Sequence, residues 1–485
     1  MPVQSFSRWP KVLALGLIGC VVLAAPAQAQ APAEVGQWAS TMNWPISATH
    51  ASLQPDGKVM FFGEFDDGLG PPRRWDPATN AISSLPVAGY NIFCAGHSYL
   101  ADGKLLVTGG HLASHEGLAD ASLFDPFTGT WTRLPDMNDG RWYPSNTTLP
   151  NGDVMVISGE IDGVGDFNEI PQRYIAATKT WKNLTTAKEE IPYYPRMFLA
   201  PNGKLYFAGP GRETLWLDPA GTGSWKAGPK SLFGKRTYGP AVYMDGKVVF
   251  IGGGDPPTAT VEMIDLAVAA PKWQYMAPMS VKRRQHNATL LPDGTVLVTG
   301  GSSGNGFDNA KKPVFLTELW DPGTNKWTKF SSNKIYRGYH STALLLPDGR
   351  VLGAGGKNTK NGELFSPPYL FKGARPTVSS APGDVAPGST FTVSTPDAAR
   401  IKKVTLIAIG SVTHAFDMNQ RLLTLNFTKG NGSITVTAPS NNNVAPPGYY
   451  QLFLVNEQGV PSIGKMVKIT IVSASSPSAA TLPDP

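Results

Sequence analysis

Short apolar runs, each broken by a polar turn, recur along the chain in seven similar units. Each unit has an apolar approach, an Asp-Gly or Asn-Gly turn, a second apolar run and usually a small-Gly or Gly-Gly pair. The turn glycines are Gly57, Gly103, Gly152, Gly203, Gly246, Gly294 and Gly349. Their spacing is roughly 43–55 residues, the period of kelch-type propeller blades. Asp-Gly between apolar runs is a strong hairpin signal, because glycine accepts a positive φ without steric cost. Gly109-Gly110, Gly252-Gly253, Gly300-Gly301 and Gly355-Gly356 then close the second strand of four units. A tryptophan opens the outer strand at Trp131, Trp181, Trp225, Trp273 and Trp327, where a large aromatic fills the gap between neighbouring units. The pattern predicts an all-β protein whose first body, about 37–370, is a seven-bladed kelch-type β-propeller. From about Lys372 to Ser473 the period is lost, and apolar runs such as Lys403–Ile409 and Tyr450–Val455 alternate with Gly, Pro and Asn turns. That segment, 372–473, reads as an immunoglobulin-like β-sandwich. The Ser-, Ala- and Pro-rich tail, 474–485, reads as disordered.

Composition supports this picture and adds a compartment. Charged residues make up 16% of the chain, against 52 glycines and 43 prolines, which suits short strands and tight turns. Residues 1–29 have the form of a signal peptide: Arg8 and Lys11, an apolar run from Val12 to Ala25, and the small-residue site Ala27-Gln28-Ala29. The expected location is therefore secreted or periplasmic. A minor alternative is lipidation at Cys20, which ends the lipoprotein-like box Leu17-Ile18-Gly19-Cys20. Loss of Arg8 and Lys11 lowers the formal charge by two, from +6 to +4. The positive residues are dispersed, so nothing indicates nucleic-acid binding. No later stretch is apolar enough to cross a bilayer.

Cleavage leaves one cysteine, Cys94, with no partner for an internal disulfide. Most such thiols are small buried apolar groups, and the alternative is a modified or reactive one. Its neighbours on the repeat decide between these. Counting nine residues back from each turn glycine gives Ala48, Cys94, Tyr143, Tyr194, Thr237, Gln285 and His340, with Tyr339 just before the last. Equivalent positions in a propeller lie at one height around one mouth of the channel. Phenol and imidazole donors beside a lone thiol suit a transition metal, and Cu(II) in particular. His97, His111, His115 and His286 read as structural, hydrogen-bonded side chains, although His286 adjoins the same ring.

Four motifs carry a resemblance to a known family. They are Asn91-Ile92-Phe93-Cys94-Ala95-Gly96-His97, Gly140-Arg141-Trp142-Tyr143-Pro144-Ser145, Tyr336-Arg337-Gly338-Tyr339-His340-Ser341, and the run from Gly410 through His414 to Arg421. The chain resembles the galactose oxidase and glyoxal oxidase family of copper-radical oxidases over nearly its whole mature length. The resemblance implies one copper ion held by Tyr143, Tyr339, His340 and His414, the last reaching in from the C-terminal body. It implies a thioether joining Cys94 to Tyr143 as a protein-derived radical cofactor, with Tyr339 as axial ligand and proton acceptor. It implies oxidation of an aldehyde hydrate or primary alcohol by O2, with release of hydrogen peroxide, and a copper-delivery protein as a possible partner.

Two departures bear on substrate. The carbohydrate-binding domain that precedes the propeller of galactose oxidase has no counterpart before the first repeat. No tryptophan matches the one that family stacks over its cross-linked tyrosine, which leaves Trp142 and Phe167 as candidates. Both departures favour a glyoxal-oxidase-like preference for small aldehydes or simple alcohols. Arg141, Arg236 and Arg284 are candidates to orient a carboxylate or hydroxyl at the mouth. The rival readings are a non-catalytic exported kelch module that binds carbohydrate or protein, and a propeller hydrolase, which would need acids that the seven ring positions lack.

Overall fold

The computed structural model describes residues 1–5, 30–63 and 70–472. Residues 6–29 of the signal segment, with Cys20, and the tail from 474 lie outside the described residues. Strands dominate what is described, as the alternating pattern predicts, and the expectation of an all-β protein holds.

Six antiparallel units of four strands follow one another in the chain, the first and fifth extended by strands from later in the chain, the fifth through a parallel pairing of Met244 with Leu422. Their first strands are His50–Leu53, Gly96–Tyr99, Ser145–Thr148, Met197–Leu199, Ala241–Met244 and Arg284–Leu290. A further sheet begins at Ser341–Leu345, and its strand Asn361–Ser366 pairs with Gln37–Trp38 from the start of the described chain. Gln37 lies opposite Ser366 and Trp38 opposite Phe365, so the two ends of the repeat are stitched together in one sheet. Ser145–Thr148 packs beside both Gly96–Tyr99 and Met197–Leu199, Arg284–Leu290 beside both Ala241–Met244 and Ser341–Leu345, and Ser341–Leu345 also packs against His50–Leu53.

Burial grades across each sheet. First and second strands such as Ser145–Thr148 and Val154–Ile157 are buried throughout, whereas fourth strands such as Thr180–Asn183 are mostly exposed. The outer tryptophans seal the seams between sheets. Trp131 Nε1 donates to Pro86 O (2.8 Å), Trp181 to Pro135 O (2.8 Å), Trp225 to Ala187 O (2.9 Å) and Trp327 to Ala277 O (2.7 Å). Each indole thus buries its rings and spends its N–H on the preceding unit.

All seven turn glycines adopt φ between 81° and 90°, which accounts for glycine at each. Six turns carry three residues between the closing pair, as Pro55-Asp56-Gly57 does between Gln54 and Lys58. The fifth is one residue shorter: Met244 pairs directly with Lys247 around Asp245-Gly246.

Beyond Phe371 the chain forms a second body. Strands Asp384–Val385, Ile401–Ala408, Leu422–Leu425, Gly448–Asn456 and Lys465–Ile469 lie in one sheet. Thr390–Ser394, Phe427–Lys429 and Ser433–Thr437 make another. Val393, Leu406, Ile434, Val436, Leu452 and Val467 belong to the core the two sheets share. Between Ile401–Ala408 and Leu422–Leu425 the chain leaves this body as a hairpin, Ser411–Thr413 with Phe416–Asp417. That hairpin adds to the first strand of the first sheet, with His50 opposite Thr413 and Ser52 opposite Ser411.

Candidate metal centre

The loops that enter the first strands carry an unusual backbone. Cys94 (φ 65°), Tyr143 (68°), Tyr194 (39°), Gln285 (59°) and His340 (66°) are all left-handed. Such a conformation costs a non-glycine residue on the order of 1–2 kcal/mol, so its recurrence at one repeat position is a property of the fold. Successive members are bonded through the backbone: Tyr143 N to Cys94 O (3.0 Å), Tyr194 N to Tyr143 O (2.8 Å) and Gln285 N to Tyr238 O (2.9 Å). In the fifth unit the left-handed residue is Tyr238 (φ 56°), and Thr237 is its neighbour. Counting nine back from Gly246 overshoots there because the Asp245-Gly246 turn is one residue short. Ala48 is absent from the left-handed set. Tyr238 thus holds the left-handed position of the fifth unit, which counting back from the turn glycine missed.

His414 arrives separately, at the tip of the hairpin, where His414 (φ 48°) and Ala415 (φ 62°) are both left-handed. Two such central residues make the tight hairpin turn that matches strand twist, though Asn-Gly is the usual occupant. Asp417 anchors the hairpin: its Oδ1 accepts from the amides of Ser411 (2.8 Å), Asn419 (3.0 Å) and Gln420 (2.8 Å). Burial pushes this carboxyl up to about 6 despite those bonds. The tautomer of His414 follows from its neighbours. Thr413 Oγ1 donates to Thr49 O (2.9 Å) and so accepts from His414 Nδ1 (2.6 Å). Nε2 is left with its lone pair directed at Tyr143, 2.8 Å from the hydroxyl oxygen.

The same hydroxyl lies 2.5 Å from that of Tyr339. His340 stacks beside Tyr339 with ring centroids 3.7 Å apart, and its ring meets that of His414 edge-on at 4.6 Å. The structure therefore brings together Tyr143, Tyr339, His340 and His414, all buried or nearly so. Burial holds both phenols well above their ordinary pKa and His414 well below its own; it lowers His340 to about 3. Burial thus favours the uncharged forms of these four groups, protonated phenols and neutral imidazoles. A divalent cation would fit by displacing the phenol protons, leaving two anionic oxygens and two neutral nitrogens, a donor set suited to Cu(II). Among the described residues no group of three or more His, Cys, Asp or Glu is placed to hold a metal, so the tyrosines are essential to this reading.

Around the donors, Tyr143 is sandwiched. Trp142 stacks on it at 3.7 Å and 9° between planes, and Tyr194 covers it at 4.6 Å and 24°. Of the two candidates to shield this ring, Trp142 does so and Phe167 packs on Tyr193 instead. Cys94 is fully buried; burial raises its thiol pKa, while the side chains of Tyr143 and Trp142 oppose the shift. Its amide donates to His50 Nε2 (3.1 Å), whose Nδ1 meets His97 Nε2 (3.0 Å), whose Nδ1 meets Ser411 Oγ (2.5 Å). The backbone donor fixes the direction of this chain, so both imidazoles carry their proton on Nδ1. His97 is therefore structural as expected, and His50 is a link that residue spacing did not reveal.

The arginines divide. Arg236 lies within the fold, paired with Glu262 (2.9 Å), and Arg141 is spent on Ser158 O (2.7 Å) and Ile170 O (2.7 Å). Neither is available to a substrate, because each satisfies buried backbone carbonyls or a buried carboxylate. Arg284 lies over the Tyr238 ring at 5.6 Å and is bonded to Asp255 (2.8 Å). Tyr238 and Phe307 in turn meet Tyr339 edge-on at 5.9 and 4.6 Å. His115 pairs with the buried Glu160 (2.7 Å), in line with a structural role.

An all-β fold holding two phenols, two imidazoles and a buried thiol at one point defines a class: a redox metalloprotein whose donors include oxidisable side chains. Comparison with known proteins narrows the class. The family model for the glyoxal oxidase N-terminus matches residues 72–241 and 256–371, and that for the galactose oxidase-like early set domain matches 375–469. Galactose oxidase of Gibberella zeae is 30% identical over 90% of this chain and 71% of its own length. Aldehyde oxidase GLOX of Vitis pseudoreticulata is 30% identical over 81% of this chain and 84% of its own. A fungal alcohol oxidase of the AA5 family, solved in complex with copper, superposes with a TM-score of 0.82 at 28% identity. It covers 90% of this chain and is itself covered in full. The chain belongs to the galactose oxidase and glyoxal oxidase family of copper-radical oxidases.

Proposed function

We propose that the protein is an exported oxidase that converts an aldehyde hydrate to the acid, or a primary alcohol to the aldehyde, while reducing O2 to hydrogen peroxide. In this reading the seven sheets are blades of one propeller, and the C-terminal body is an immunoglobulin-like sandwich that supplies His414. The observation that carries it is the Tyr143 hydroxyl, held 2.5 Å from the Tyr339 oxygen and 2.8 Å from His414 Nε2, with His340 alongside. Copper held by Tyr143, Tyr339, His340 and His414 supplies a Lewis acid and a one-electron acceptor.

Oxidising a C–H next to oxygen removes two electrons, so a second one-electron group is required. The Tyr143 ring is that group, and a thioether from Cys94 at its ortho carbon donates electron density and makes the ring easier to oxidise. The sandwich of Trp142 and Tyr194 keeps solvent from both its faces. The Tyr339 oxygen, as phenolate, takes the hydroxyl proton of the substrate, and the Tyr143 oxygen takes the carbon-bound hydrogen. The two oxygens lie 2.5 Å apart, so little movement separates the two transfers. Phe307 and Tyr238 wall the approach beside Tyr339, which supports a small substrate with little polar decoration. Export rests on the signal-like segment; among the described residues no helix is long and apolar enough to cross a membrane.

Intact mass of copper-loaded, aerobically matured protein tests this reading. The expected result is a loss of about two hydrogens and a Cys94–Tyr143 linked peptide, followed by peroxide release with one of a panel of aldehydes, alcohols and sugars. An unmodified peptide without bound copper would sink it.

A further inference from the structure

Arg284, Gln285 and Asp255 take no part in the chemistry above, yet all three hold one short segment beside Tyr339. That segment is the loop 303–316, between the strands Val296–Ser302 and Thr317–Asp321. Arg284 Nη1 donates to Gly306 O (2.6 Å), the Gly306 amide donates to Asp255 Oδ1 (3.0 Å), and Gln285 Nε2 donates to Phe307 O (3.0 Å). Ser302 Oγ ties the loop to its own base by donating to Asn309 O (2.7 Å).

Two adjacent residues of this loop grip Tyr339 at opposite ends. Phe307 meets its ring edge-on, with centroids 4.6 Å apart and 65° between planes. Asp308 Oδ1 accepts from its backbone amide (3.3 Å) and, more closely, from the Tyr336 hydroxyl (2.5 Å). One carboxylate oxygen has lone pairs for both donors. Gly338 makes the arrangement fit. A Cβ there would stand 2.7 Å from Asp308 Oδ1 and would collide with the Tyr336 hydroxyl. The Tyr336 phenol therefore folds back over its own segment because residue 338 has no side chain.

The placement of Tyr339 matters because its oxygen lies 2.5 Å from that of Tyr143. We infer that Asp308 is a positioning residue for Tyr339. Through the Tyr339 amide and the Tyr336 hydroxyl it latches the loop to the segment that carries Tyr339 and His340. The latch fixes the Tyr339 oxygen against that of Tyr143, and the Phe307 ring against the Tyr339 ring. The inference rests on the reading of Tyr339 above and adds to it the residues that hold this tyrosine in place.

Three variants test it. Asp308→Ala removes the acceptor, Asp308→Asn keeps an oxygen for both donors, and Tyr336→Phe removes one donor. Each is compared with wild type by steady-state peroxide release and by the Cu(II) EPR spectrum of the copper-loaded, mildly reduced protein. Hydrogen exchange at the Tyr339 amide is followed in the metal-free protein. Asp308→Ala should lower kcat about a hundredfold, the cost of a misplacement of about 1 Å, and change KM less than about threefold. It should also shift the Cu(II) spectrum and speed exchange at the Tyr339 amide. Tyr336→Phe should lower kcat about tenfold, the loss of one hydrogen bond. Asp308→Asn should return kcat to within about threefold of wild type, with a wild-type spectrum. Tyr336→Phe carries the comparison if Asp308→Ala does not fold. Wild-type kcat and spectrum in the variant compared would overturn the assignment of Asp308. So would an Asp308→Asn protein as slow as Asp308→Ala, since charge and not position would then be at work. A wild type that binds no copper and releases no peroxide would instead overturn the reading of the site, and faster exchange in metal-free Asp308→Ala would still show the latch.

Discussion

Two polar systems run around the repeat at nearly the same level, and they obey opposite rules. The first is structural. Arg236 pairs with Glu262 (2.9 Å), Arg283 with Glu318 (2.5 Å) and Arg337 with Glu363 (3.0 Å), each from a loop residue to the third strand of its own sheet. The residue types repeat because every unit faces the same task, satisfying buried carbonyls such as Gly252 O, Gly300 O and Gly355 O. In the third unit Gln172 replaces the glutamate, and Arg141 turns to Asn138 and backbone oxygens. The second system is the left-handed ring two or three residues further on. Its backbone repeats while its side chains do not: a thiol, three phenols, an amide and an imidazole. The scaffold thus fixes a place, and the residue there is left open to chemistry.

Breaking one member of each system separates the roles most sharply. Arg283→Met strands the Glu318 carboxylate in the interior and should cost roughly 3–5 kcal/mol in urea unfolding. Tyr143→Phe keeps the sandwich of Trp142 and Tyr194 and should cost only about 1 kcal/mol. It should nonetheless abolish copper binding and lower peroxide release at least about 10^4-fold. A Tyr143→Phe protein that unfolds early, or an Arg283→Met protein as stable as wild type, would erase the distinction.

Asp417 sharpens the contrast, because its buried carboxylate is held by amides and not by an arginine. Its pKa is raised from the ordinary carboxylate value to about 6, so folding favours the protonated form. Stability should be greatest below about pH 4 from this group and fall as pH rises through about 6, by roughly 3 kcal/mol in all. Asp417→Asn keeps an acceptor for the three amides and should remove that slope in unfolding measured from pH 4 to 8. An unchanged slope would show that the carboxyl does not titrate there.

The smallest expected effect concerns the fifth unit. Thr237→Ala should change stability by no more than about 0.5 kcal/mol and leave peroxide release unaltered. Tyr238→Ala removes a wall of the mouth and should raise KM about tenfold. The reverse order of sensitivity would place Thr237 on the ring after all.

Much of this was legible without coordinates, for identifiable reasons. The Gly57 to Gly349 series could be read because a left-handed turn selects one residue type at each repeat. Cys94, Tyr143 and His340 followed by counting, since six turns have equal length. Counting failed at Tyr238, where one residue is missing from the turn. Arg141 and Arg236 looked like mouth residues because spacing along a loop says nothing about which way a side chain points. His50 escaped notice because a lone histidine in an apolar strand carries no local signal.

The sequence by itself determined the strand periodicity, the repeat and the residue types available to a metal, since these depend on local propensity and regular spacing. Only the tertiary structure decided that a hairpin from 411–417 would join the first sheet and bring His414 Nε2 to the Tyr143 oxygen. It alone placed Trp142 over Tyr143 and His111 beside Cys94. Such contacts join residues from different loops and different bodies, and no periodicity in a chain encodes the distance between them.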